Sequence, residues 1–224
     1  MGNIFRWDSP FMQKVSKAGN LILLNILWVL CSIPVLTMGA ATAALYHVIF
    51  QYQTADEDTV FKPFFRAFIK DFKQATLLWI PTLAIITLLI LDLRYLFAYG
   101  GNSLIWVVVI VASVVFLMIQ TQLLPQVARF ENKLGTIIKN AALLTILHMP
   151  SAFLMATLNI LPVVIFLLLP VQFMQWLPLW VGIYFALVAY MNGRMLLKQW
   201  AQLLTADNAD LLVIILLLAI MAIK

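Results

Sequence analysis

Charge is scarce in this sequence. Only 10% of its 224 residues are Asp, Glu, Lys or Arg, and 64% are hydrophobic. A soluble domain typically carries ~25% charged and ~45–50% apolar residues, so an ordinary water-soluble fold is excluded. Cys31 is the single cysteine, which rules out a disulfide within the chain. It has no base near it in sequence and reads as a small packing residue rather than a nucleophile. The two histidines, His47 and His148, stand far apart in apolar contexts. Neither has a carboxylate or a second His at ligand spacing, so no metal site is expected. There is no glycine-rich phosphate loop, and no nucleophile–base or carboxylate pair at membrane depth. The expectation is a protein that is not an enzyme, with no catalytic residue, metal or cofactor. A net charge of +5 would suit nucleic acid if it were spread along a polar surface. Here the basic residues sit beside apolar segments, a pattern that suits loops kept in the cytoplasm and anionic lipid. The lipid bilayer, not nucleic acid, is the expected partner.

What the sequence has in quantity is long apolar runs. Residues 75–91 (ATLLWIPTLAIITLLIL), 104–119 (LIWVVVIVASVVFLMI) and 140–193 contain no Asp, Glu, Lys or Arg. A bilayer-spanning helix needs ~20 mostly apolar residues to cross ~30 Å of hydrocarbon. The fold class is therefore all-α: a polytopic transmembrane helix bundle in one membrane domain over 1–224, with no room for a separate soluble domain. Six segments are read at 20–34, 39–53, 75–98, 103–124, 140–169 and 178–197, arranged as three helical hairpins. An interfacial amphipathic helix is expected at 59–73 and a short apolar tail at 211–223. No cleavable signal pattern is expected at the N-terminus, because the apolar run after Leu21 leads straight into further membrane segments.

The loops orient these segments. Arg6, Lys14 and Lys17 precede the first; Lys62, Arg66, Lys70 and Lys73 separate the second from the third. Arg129, Lys133 and Lys139 separate the fourth from the fifth, and Arg194 and Lys198 end the sixth. Twelve of the fourteen Lys and Arg lie in these four places. Short basic loops stay in the cytoplasm, which makes this a multi-pass protein with a cytoplasmic N-terminus. The first two segments must then form a hairpin, each arm ~23 Å long. Pro34 disfavours helical geometry at Ile33, and Gly39 tolerates backbone angles closed to other residues. The hairpin either crosses fully or dips in as a re-entrant loop. A single kinked span would put the basic stretch 54–73 outside, against the charge rule. The tail 211–223 has 13 residues, ~20 Å of helix, and is expected to tuck back from the cytoplasmic side rather than cross.

Lys17-Ala-Gly-Asn-Leu-Ile-Leu-Leu, Lys73-Gln-Ala-Thr-Leu-Leu-Trp-Ile and Lys139-Asn-Ala-Ala-Leu-Leu-Thr-Ile open the first, third and fifth segments alike. This is either a repeated unit of lead-in helix plus hairpin or the common way any helix enters a membrane. Along 59–73, Phe61, Phe65, Phe68 and Phe72 fall within about 60° of arc, and Lys62, Arg66, Lys70 and Lys73 occupy a separate arc of about 80°. Asp56, Glu57 and Asp58 precede them, where acidic residues complement the helix dipole. An aromatic stripe flanked by a basic one describes a helix lying in the membrane interface, or a docking surface for a partner. Asn20, Asn25, Thr42, Tyr46 and Asn159 are candidate intramembrane polar contacts, with Gln120, Gln122 and Asn192 of the same kind. Such groups need partners in hydrocarbon and should face other helices, as interhelical glue or as a solute path. The run Gly39-Ala-Ala-Thr-Ala-Ala permits close helix approach, within the chain or against another subunit.

The stretch Leu21-Ile-Leu-Leu-Asn-Ile-Leu-Trp-Val-Leu-Cys-Ser-Ile-Pro-Val-Leu-Thr-Met-Gly-Ala-Ala-Thr-Ala-Ala-Leu-Tyr resembles the first hairpin of the YesL-like bacterial membrane proteins. Phe64-Phe-Arg-Ala-Phe-Ile-Lys-Asp-Phe-Lys-Gln-Ala-Thr-Leu-Leu-Trp resembles the helix that follows it there. The resemblance covers residues 11–79, about the first third, and beyond Leu104 rests on hydropathy and loop charge. It implies an integral protein of the bacterial cytoplasmic membrane, from a family with no established biochemical activity. Members often occur alongside ATP-driven carbohydrate-uptake transporters, whose subunits become the expected protein partners. Two functions remain open: an accessory, scaffold or regulatory component of carbohydrate uptake, and a small permease-like subunit that itself moves a solute. The lack of an ionisable residue deep in a helix, which many ion-coupled transporters carry, leans toward the first.

Overall fold

In the computed structural model, the described residues are 10–54, 59–100 and 102–205. Asp56, Glu57 and Asp58 and the apolar tail 211–223 lie outside the described residues. The elements in order are α1 (Pro10–Ser32), a 3-10 turn (Val35–Thr37), α2 (Met38–Thr54), α3 (Phe61–Tyr99), α4 (Ser103–Arg129), α5 (Leu134–Leu147) and α6 (Met149–Leu168). Two short pieces, α7 (Pro170–Gln175) and α8 (Leu177–Leu179), lead through a π-turn (Trp180–Tyr184) into α9 (Phe185–Thr205). The chain forms the expected polytopic helical bundle. Five helices are long and apolar enough to cross a membrane: Val15–Ser32 within α1, then α3, α4, α6 and Leu177–Leu203. The count is five rather than six because α2 has only 17 residues, ~25 Å of helix.

Two sequence boundaries move. Residues 59–73 and 75–98 are not separate helices but one, the 39-residue α3, ~58 Å long. No Gly or Pro falls between Phe64 and Ile80. The change from a charged to an apolar sequence at Lys73 alters the preferred surroundings and leaves the backbone hydrogen bonds intact. Residues 140–169, by contrast, break at His148. Pro150 has no N–H to give and its ring crowds the carbonyl four residues back. The helix restarts there, with the Ala152 N–H on the His148 carbonyl at 3.0 Å.

The axis of the bundle is α2. Its small residues serve two cores at once. Ala41 and Ala44 pack with Leu24, Leu27 and Trp28 of α1 and with Ala186 and Ala189 of α9. Ala40 and Ala43 pack with Ala75 and Leu78 of α3, Leu123 and Leu124 of α4, and Ala141 of α5. Side chains of one carbon let several neighbours approach one helix closely. The small-residue run is thus spent within the chain.

The turn joining α1 to α2 is built on Pro34 and Thr37. The Thr37 hydroxyl donates to the Cys31 carbonyl at 2.6 Å and the Pro34 carbonyl at 2.8 Å, satisfying an acceptor that the end of α1 leaves open. The hairpin tip is fixed to α3: Trp79 Nε1 donates to the Val35 carbonyl at 2.7 Å. Ile33, Val35 and Leu36 at the tip are exposed. Beyond Trp79, α3 runs twenty residues further to Tyr99, ~30 Å past the tip.

The basic segments gather at the opposite end. Lys17 lies over the Tyr52 ring at 5.7 Å and Arg129 over Phe50 at 5.8 Å. Lys70 pairs with Glu131 at 2.7 Å. Trp200, two residues past Lys198, packs its ring 5.2 Å from Phe50 and 5.0 Å from Phe130.

Candidate functional site

Two regions combine the sequence candidates. The first is the N-terminal part of α3. Its buried residues are Phe64, Ala67, Asp71, Ala75, Leu78 and Thr82, a 3–4 spacing that marks the face turned to the core. Phe65 and Phe68 pack half-buried against the same core. Phe61 and Phe72 stay exposed. The expected stripe of Phe61, Phe65, Phe68 and Phe72 is therefore split between packing and surface. Phe64, which sequence reasoning passed over, is fully buried and 6.4 Å from the Phe68 ring. The available signal was the small residue at each turn, Ala67 then Ala75, matching the small residues of α2.

Lys62, Arg66, Lys70 and Lys73 all lie on the exposed side of α3 with Ile69. Among the described residues only Lys70 of the four has an ion-pair partner, Glu131. That bond holds the Lys70 ammonium above its ordinary pKa and the Glu131 carboxyl below its own. Behind this face lies Asp71, buried. Burial raises its carboxyl pKa; the charges of Lys70 and His47 oppose that shift and Glu131 adds to it. His47 Nδ1 lies 3.1 Å from the Ala128 carbonyl of α4, so α2, α3 and α4 meet here.

The second region is an open-mouthed cavity of about 300 Å³ lined by α1, α2, α3, α4, α6 and α9. Thr42, Tyr46, Gln120, Thr121 and Asn159 supply its polar lining, and Trp28, Trp79 and Phe185 its aromatic walls. Among the described residues no charged side chain lines it. Thr42 accepts from Trp28 Nε1 at 3.0 Å and donates to the Met38 carbonyl at 2.7 Å. Asn192, fully buried behind the wall, donates to the Tyr46 hydroxyl at 3.2 Å and reaches Asn159 Oδ1 at 3.5 Å. Gln120 donates to the Thr82 hydroxyl. Asn159 itself is exposed on the uncharged, mostly apolar α6.

Of the expected intramembrane polar residues, the structure thus brings Thr42, Tyr46 and Asn159 together. Asn20 is half-buried on α1 and outside the cavity lining. Asn25 has a separate task. Its Nδ2 donates to the Trp180 carbonyl at 3.1 Å and the Val181 carbonyl at 2.5 Å, and its Oδ1 accepts from the Ala186 N–H at 2.8 Å. A π-turn interrupts the regular helical ladder, and the Asn25 amide satisfies the groups this leaves. The Trp walls and Asp71 were not among the sequence candidates; a 3–4 spacing with the small residues of α3 is the one clue that places Asp71 inward.

Among the described residues no group of three or more His, Cys, Asp or Glu could hold a metal ion. A family model described as "Protein of unknown function, DUF624" matches residues 21–93, about a third of the chain. The matched stretch holds Asn25, the α1–α2 turn and α2, Asp71 and Trp79, and stops before Gln120 and Asn159. No curated protein and no solved structure matches the chain.

Proposed function

We propose that this integral membrane protein is an accessory, scaffold or regulatory component of carbohydrate uptake in a bacterial cytoplasmic membrane. It works through the basic face of α3 and does no chemistry of its own. The observation that carries this reading is the face itself. Lys62, Arg66 and Lys73 are exposed beside Phe61, Ile69 and Phe72, on a helix whose other side is anchored to α2. A rigid, half-apolar basic surface suits an acidic protein surface or anionic headgroups. The carbohydrate assignment rests on the resemblance to YesL-like proteins over residues 11–79, and with it go the expected partners, subunits of an ATP-driven transporter. The cytoplasmic position of the N-terminus rests on the charge rule.

The test is deletion of the gene followed by uptake measurements over a panel of oligosaccharides. Reduced uptake of at least one supports the proposal; unchanged uptake of every one removes it. Replacing Lys62, Arg66 and Lys73 together with Gln should reproduce the deletion if the face is the working surface. The permease-like reading is favoured by one feature, the uncharged polar cavity. Solute entry into proteoliposomes holding only this chain would establish that reading instead.

A further inference from the structure

We infer that the cavity bounded by Thr42, Tyr46, Gln120 and Asn159 is a binding site for a lipid with a neutral, hydroxyl-bearing head. Three observations carry the inference. The lining has no formal charge, and in a low-dielectric interior an unpaired ionic head would be left without compensation, so the ligand is neutral. Asn159 is an exposed primary amide on α6, a helix with no charged residue whose other polar side chains are only the hydroxyls of Ser151 and Thr157. One face of its amide is held by Asn192; its Nδ2 donors have no partner among the described residues. A polar group left bare in hydrocarbon is costly, and a hydroxyl oxygen in the cavity removes that cost. Tyr46 accepts from Asn192 and keeps its own O–H free to donate. The remaining walls, Trp28, Trp79, Ile160 and Val163 among them, are apolar, which suits an acyl chain next to the head. The volume of about 300 Å³ takes a glycerol-sized head and the first carbons of a chain, with the rest left in the bilayer.

The chemistry of a neutral hydroxyl head is shared by a monoacylglycerol and by free glycerol or a free sugar. The setting between membrane-crossing helices commits the inference to the lipid. The experiment uses the full chain in phosphatidylcholine vesicles with a diazirine-bearing monoacylglycerol as the probe. Cross-linked peptides are mapped after illumination. Saturable labelling of peptides from α2, α4 and α6, displaced by unlabelled monoolein and not by oleate or free glycerol, is the expected result. Asn159→Leu should lower the apparent affinity about fivefold, the factor set by one lost neutral hydrogen bond. Val163→Trp, at an exposed position on the lining, should abolish the saturable component by filling the mouth. Elution as the same monodisperse species shows that both variants fold. Labelling spread without saturation over all lipid-facing helices overturns the inference, as does labelling indifferent to both substitutions. Displacement by free glycerol as effective as that by monoolein also overturns it, because the site would then take a soluble solute.

Discussion

Gly39 and Trp79 are in such close contact that a β-carbon on Gly39 would lie 2.5 Å from Trp79 Cβ and 2.9 Å from its Cγ. The Ala75 carbonyl, at 3.1 Å, closes the other side. This contact seats the hairpin tip on α3 and lets Trp79 Nε1 reach the Val35 carbonyl. Gly39→Ala should therefore force α2 and α3 apart, with a loss of ~1–3 kcal/mol, the usual cost of overpacking. Thermal unfolding of the purified protein in detergent measures it. In Trp79→Gly the same glycine substitution should cost less, because the obstructing Cβ and Cγ are both gone; a double-mutant cycle reads that coupling. Gly19→Ala is the control: nothing lies within 4 Å of a β-carbon there, and the helix should gain ~0.5–1 kcal/mol.

The Asn25 amide and the π-turn give a second prediction. Asn25→Leu keeps the branched heavy-atom shape and removes three hydrogen bonds, leaving the Trp180 and Val181 carbonyls and the Ala186 N–H without that partner in a buried site. Each unsatisfied buried group costs ~1–3 kcal/mol, so the loss should exceed that of Thr42→Val, where Trp28 Nε1 alone is orphaned. A ranking of the two melting temperatures in the opposite order would show that the π-turn satisfies itself.

Asn25 also shows where sequence reasoning ends. That a buried amide at this position must find a partner follows from its apolar surroundings. That the partner is a π-turn 155 residues away does not, because a π-turn has no residue signature. The apolar runs announced their helices, and the basic clusters announced that four chain segments share one end of the bundle. The junction at Lys73 misled, since a change of polarity resembles a boundary while the backbone passes through it unbroken. The break at His148 was legible in Pro150 and was hidden by the uniform apolarity around it. Which arc of α3 faces inward depended on α2, whose small residues accept Phe64, Ala67 and Ala75 rather than the Phe61 arc. The cavity needed side chains from six helices, and no pairwise spacing reports that.

Asp71 predicts a pH dependence. Its buried carboxyl has a folded pKa raised above the ordinary ~3.9. A raised value means that the contribution to stability is fully present below the unfolded pKa and is lost as pH rises through the folded one. Between pH 7 and about 4 the group therefore stabilises the fold progressively as acid is added. Asp71→Asn should raise the melting temperature at pH 7 and flatten that acid-side gain. Glu131 shifts the opposite way through Lys70, but it is solvent-exposed, and an exposed pair contributes little. Glu131→Gln should leave the profile nearly unchanged. A profile altered by Glu131→Gln and untouched by Asp71→Asn would reverse this assignment.

The last prediction concerns how deep the hairpin reaches. Its tip is held at Trp79, and α3 continues to Tyr99 through residues that are mostly exposed and apolar. The uncharged run between Lys73 and Asp92 is 18 residues long, ~27 Å of helix, close to the ~30 Å of a hydrocarbon core. If α3 crosses with that run, the tip stops inside the bilayer, and the α1–α2 hairpin is re-entrant rather than a pair of full spans. The exposed apolar Ile33, Val35 and Leu36 suit that position, and the backbone is tolerated there because the hairpin is packed against α3. In a Cys31→Ala background, Leu36→Cys should resist a membrane-impermeant maleimide added to either side of sealed vesicles. Ser103→Cys, at the start of α4, should react from the outer side. Reporter fusions after residues 56 and 132 should read cytoplasmic, and those after 100 and 174 external. Reaction of Leu36→Cys from the outer side, at a rate matching Ser103→Cys, would falsify the re-entrant reading and make the hairpin a full crossing.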